Sequence, residues 1–278
     1  MREAVKTVTF VDIVFVLLLG ISASMPGILG RLLYYASFIA LVLIGFYSSD
    51  NLKTKREEVK GVREPNDKLL EFDLKRAAAL TPLVFPVVLV IFTVSAITSM
   101  ILSRFGVPSP EIAQKGIIEM IFVHALVPAV FEEALFRYIP MKLLLPYSKR
   151  WCVVYSALCF SLIHCSFYQM PYAFVAGILL MSIDIALGSV WPSLIIHFLN
   201  NLASCIWMKY CIGPSSSIIF TATLILLSLV SAALVYLKRD KYKEAFRGVF
   251  SSAESCPIDY SPILLVVITL TLAAASIL

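Results

Sequence analysis

Charge is scarce in this 278-residue chain: Asp, Glu, Lys and Arg make up 15% of it, against 60% hydrophobic residues and a mean hydropathy of +0.90. Soluble domains hold roughly 25% charged and about 45–50% apolar residues, so the excess apolar surface faces lipid. The same figures exclude a disordered chain, a collagen and a nucleic-acid-binding domain. The six cysteines, Cys152, Cys159, Cys165, Cys205, Cys211 and Cys256, contain no CxxC pair. Their scatter argues against a disulfide framework, and most read as small apolar side chains. GxSxG and HExxH are missing, as is a local signature around any cysteine, which argues against serine, zincin and cysteine chemistry. No repeat or low-complexity tract is evident. Only three histidines are present.

What is abundant is apolar sequence long enough to cross a bilayer, about 20 residues per span. Nine stretches qualify, near 8–28, 33–49, 78–101, 117–139, 151–167, 170–188, 191–211, 216–237 and 260–278. Met170-Pro171, Gly188-Ser189 and Trp191-Pro192 divide the nearly continuous run from 151 to 211, proline being tolerated in a helix's first turn. The first run is long and no soluble domain follows it, so an uncleaved span is favoured over a signal peptide. With the N-terminus inside, the inner segments hold Arg2, Lys6, eight basic residues of the 50–76 loop, Lys142, Lys149, Arg150 and five of the 238–259 loop; the outer ones hold only Arg31, Arg104, Lys115 and Lys209. That asymmetry supports a cytoplasmic N-terminus and the parity of the count. The expected architecture is an all-α, polytopic membrane bundle: a two-span region with its connector (1–76), a core (77–237, motifs within 117–211) and a loop with a last span (238–278). Within the 50–76 loop, read as a solvated connector, Leu69 to Leu74 is amphipathic and expected at the membrane surface.

Ionisable groups cost about 2.5–3.5 kcal/mol each at mid-membrane, so those inside spans face a cavity or one another. Three spans carry one polar cluster each: Glu132, Glu133 and Arg137; His164; His197, Asn200 and Asn201. At 1.5 Å rise per residue Glu132 lies about 10–20 Å below the inner face, His164 about 20 Å, and His197 and Asn201 about 9 and 15 Å. One layer can hold them all. Glu119 is expected to meet interfacial water and His124 a neighbouring helix. Asp184 is expected to satisfy a neighbour or the rim of the site. Ala173 and Gly177 form a small-xxx-small packing step.

Helical angles separate the roles. Glu132 and Glu133 lie about 100° apart and should not point at one centre, whereas Glu133 and Arg137, four residues apart, can pair. Glu132 remains the freer carboxylate and the candidate base. His197 and Asn201 project from one face as two donors for a single oxygen, and His164 can hold the water or set the charge of the base. A carboxylate shielded from bulk water can take a proton from a water molecule that attacks a carbonyl, most plausibly a peptide. Two carboxylates and two histidines could also ligate zinc. A metal-free mechanism is preferred, because a Glu133–Arg137 pair removes one ligand and Asn201 is a poor zinc ligand but a good oxyanion donor.

Glu-Glu-x-x-x-Arg (132–137), Phe-x-x-x-His (160–164) and His-x-x-x-Asn (197–201), in this order and with Gly-Ser-Val-Trp-Pro-Ser (188–193) before the last, resemble the CPBP (Abi) family. That family includes the type II CAAX prenyl endopeptidase and relatives linked to bacteriocin immunity. The resemblance covers roughly 117–211. It implies an intramembrane glutamic-type endopeptidase with Glu132 as base, His164 in water activation, His197 and Asn201 at the oxyanion, and Glu133 and Arg137 in support. It also implies a membrane-associated, CAAX-type substrate met in the bilayer, no nucleic acid, and a bacterial cell membrane as location. Tyr138 departs from the glycine that many bacterial relatives have after the arginine, which bears on helix packing there. The alternatives are a zinc-dependent version of the protease, a non-catalytic immunity or scaffold protein of the same fold, and a transporter, the last weakened by the lack of paired broken helices or an inverted repeat.

Overall fold

The computed structural model describes residues 2–25, 27–57, 69–107, 116–249 and 261–275; Cys256 lies outside them. The described residues form an all-α bundle without a strand. Each apolar run holds a helix: α1 Arg2–Ser24, α2 Gly27–Glu57, α3 Leu74–Arg104, α4 over 117–143, α5 Lys149–Leu162, α6 Met170–Leu187, α7 Trp191–Tyr210, α8 Pro214–Leu237 and α10 Ser261–Ala275. Between the last two, the expected loop contains a short helix, α9 Arg239–Phe246. Against the expected nine spans, four described helices, α1, α3, α6 and α8, are long and apolar enough to cross a membrane. Leu32–Gly45 of α2 and Leu265–Ala274 of α10 are shorter apolar stretches. The helices bearing the polar clusters are not among them; α5, at 14 residues, rises only about 21 Å.

α4 is irregular for a reason written in its sequence. It widens to π geometry at Ile121–Leu126 and again at Ala134–Tyr138, and a proline follows each widened turn. Pro128 lacks the N–H that would close on the His124 carbonyl, and Pro140 the one that would close on Phe136. The residue before each proline instead donates five residues back, Val127 to Phe122 and Ile139 to Ala134. The Phe136 carbonyl left over accepts from the Ser156 hydroxyl of α5 and from Arg137 Nη1 at 3.4 Å. Tyr138 is buried there.

Close approach builds the rest. A Cβ on Gly177 of α6 would stand 2.6 Å from the Ala157 Cα of α5, so the small-residue step brings two backbones together as expected. α1 is tied to α5 by a hydrogen bond between the Thr9 and Tyr155 hydroxyls and by Asp12, 2% exposed, against the Cys159 thiol. Asp12 is a buried acid outside the three polar clusters. Phe15 of α1 meets Phe38 of α2 at 4.4 Å between ring centres. The five described cysteines are free thiols.

At the corner between α6 and α7, Gly188 takes φ +66°, a left-handed conformation that costs glycine little. The segment Leu69 to Leu74 straps this corner. The Val190 amide donates to the Leu69 carbonyl (3.0 Å), Trp191 Nε1 donates to that of Leu70 (2.7 Å), and the Phe72 ring stands edge-on to Trp191 at 5.5 Å. The corner has N–H groups without helical acceptors, and the strap supplies carbonyls to them.

Candidate active site

The three polar clusters converge. On α4, Arg137 and Glu133 are 0% and 1% exposed and pair at 3.3 Å (Nε to Oε2), the four-residue partnership that the spacing predicts. The guanidinium also lies over the Phe160 ring, 4.4 Å from its centre. Glu133 does more than balance Arg137: its Oε1 accepts from His197 Nδ1 at 2.6 Å. Glu132 Oε2 stands 3.7 Å from Nε2 of the same ring. The expectation that adjacent glutamates cannot serve one centre is therefore corrected. The centre is an imidazole with nitrogens on two edges, so carboxylates from different faces of α4 reach it from different sides.

His164 was expected inside a span ending near 167, but α5 ends at Leu162 and His164 lies in the turn beyond. The ending has a chemical use. The His164 amide donates to Ser161, so the Phe160 carbonyl loses its helical partner, and His164 Nδ1–H supplies a donor to it at 2.7 Å. A carbonyl can only accept, so Nδ1 carries the proton and Nε2 of the neutral ring offers a lone pair. Phe160 separates the two imidazoles, edge-on to His164 at 5.1 Å and to His197 at 5.7 Å.

On α7, Asn200 Nδ2 donates to Asn201 Oδ1 at 3.3 Å, which occupies the acceptor end of Asn201 and leaves its amide hydrogens for other partners. Glu132, His164, His197 and Asn201 all line one cavity of about 1220 Å³. Two further lining residues were not assigned to it from sequence. Asn200 stands beside the chosen Asn201, and its proximity in the chain was the available signal. His124, expected to serve a neighbouring helix, lines the same cavity from the first widened turn of α4; a 3.6-residue period cannot place a side chain on a π turn. Glu119 is exposed. Glu133 and Arg137 stand behind the cavity wall. Among the described residues no three His, Cys, Asp or Glu side chains are grouped so as to hold a metal ion.

A carboxylate, an imidazole with an open acceptor, a second imidazole braced by a buried carboxylate, and a carboxamide presenting N–H together suit water activation beside an oxyanion. Residues 114–203 match the family described as Type II CAAX prenyl endopeptidase Rce1-like. Neither a curated protein nor a solved structure matches the chain. The matched segment contains Glu132, Glu133, Arg137, His164, His197 and Asn201, so the family likeness and the converging side chains fall on the same part of the molecule. Over this segment the chain is similar to the Rce1-like type II CAAX prenyl endopeptidases.

Proposed function

We propose that the protein is an intramembrane endopeptidase in which Glu132 is the general base. A water donates one hydrogen to the Glu132 carboxylate and the other to the open Nε2 of His164, which turns its lone pairs toward the scissile carbonyl carbon. Glu132 takes the proton as the new C–O bond forms. The charge that develops on the carbonyl oxygen is met by Asn201 Nδ2–H and by His197 Nε2, a donor in the imidazolium form because Nδ1 already donates to Glu133. The proton on Glu132 then passes to the leaving nitrogen as the C–N bond breaks, giving an acid and an amine. Glu133 and Arg137 hold the His197 ring and touch no reacting atom.

The carrying observation is the meeting of Glu132, His164, His197 and Asn201, from three parts of the chain, in one cavity, with Glu132 3.7 Å from His197. The substrate is a membrane-associated peptide of the CAAX type, cut on the cytoplasmic side with the N-terminus of the enzyme inside. Its lipid chain lies against Phe15, Leu19, Tyr34 and Phe38 on the apolar wall. No metal takes part. Purified protein in liposomes, given a prenylated peptide, should cleave it equally with and without a chelator, and Glu132→Gln should leave no measurable hydrolysis while matching the parent in yield. Cleavage by Glu132→Gln at the parent rate would overturn the reading, and loss of activity on chelation would overturn its metal-free form.

A further inference from the structure

The start of α7 lacks an ordinary cap. Val190 occupies the N-cap position and has no side-chain oxygen for the first-turn amides, and Pro192 has no N–H to offer. The Ser193 amide donates instead to Asp184 Oδ1 at 2.9 Å, from the last turn of α6, nine residues earlier. The backbone carbonyl of Asp184 accepts from Gly188 and Ser189, the latter at 3.2 Å. One residue thus holds both sides of the α6–α7 corner. Asp184 and Ser193 are both 0% exposed, and the charged neighbours of Asp184 are Glu133 and Arg137. Ser193 stands one turn before His197, and His197 one turn before Asn201, on the same side of the helix.

We propose that Asp184 is a positioning residue that sets the rise and rotation of α7, so that His197 reaches Glu133 through Nδ1 and faces Glu132 through Nε2. A one-residue slip of a helix rotates every side chain by about 100° and moves it by 1.5 Å, and a 1 Å misplacement in a catalytic group can cost about 100-fold. The inference rests on Glu132 and His197 being catalytic. Its structural part does not: the carboxylate takes the place of a missing cap whatever the reaction.

Four variants in liposomes test it. Asp184→Asn keeps an acceptor of the same length, and asparagine caps as well as aspartate, so kcat should stay within about threefold of the parent. Asp184→Ala should lower kcat by about 30- to 100-fold with KM within about twofold, and amide exchange at Ser193 should quicken. Asp184→Ser leaves room for a bridging water, guards against misfolding of the alanine variant, and should fall between them. Glu132→Gln run alongside separates the two failures: if it stays active, the catalytic reading falls. If it is dead but Asp184→Ala and Asp184→Ser both work at the parent rate, or if Asp184→Asn is as slow as Asp184→Ala, the positioning role is overturned.

Discussion

At the scale of single residues, Arg137 shows what a buried cation requires. It is 0% exposed, paired with Glu133, stacked on Phe160 and bonded to the Phe136 carbonyl. Removing one partner of a buried ion pair costs about 3–5 kcal/mol because the other charge is left uncompensated. Arg137→Met should therefore lower the thermal inactivation temperature in detergent markedly, and a variant as stable as the parent would show that Glu133 needs only His197. The Glu133–Arg137 pair was legible from a spacing of four. The place of His197 between Glu132 and Glu133 was not, because it joins residues 64 positions apart, and sequence spacing carries angles about one helix axis but nothing about the distance to another helix.

At the scale of elements, irregular helix ends and turns place the site. The apolar run continues past Leu162, so composition alone extended α5 to 167; Cys165 at φ 44° marks the break, and a non-glycine residue in that region is uncommon. The prolines at 128 and 140 were visible in the sequence, but not their effect, widened turns and not a stop; at Pro140 the freed carbonyl is taken up by Ser156 of a neighbouring helix, which spacing along one helix does not reveal. Contact between α5 and α6 was more legible, since the Ala173 and Gly177 step named its own face. Gly177→Val should force those helices apart, cost about 1–3 kcal/mol and shorten the half-life at elevated temperature. An unchanged half-life would mean that Ala157 yields without strain.

At the scale of the whole molecule, hydropathy identified the helices and the basic residues supplied a direction for them. The orientation predicts that Lys241→Cys on α9, in a cysteine-free background, is labelled by a membrane-impermeant maleimide in inside-out vesicles and is protected in right-side-out ones. The reverse pattern would turn the bundle over and move the peptide's point of entry to the opposite leaflet. What hydropathy missed is the docking of Leu69 to Leu74 on the α6–α7 corner, because backbone carbonyls make those bonds and any sequence has carbonyls.

The three histidines of the chain all border the same hollow. An imidazole-acylating reagent such as diethyl pyrocarbonate therefore has no histidine elsewhere in the molecule on which to be consumed. Its ultraviolet signal would become a direct gauge of how open that chamber is, and a bound peptide would register as silence.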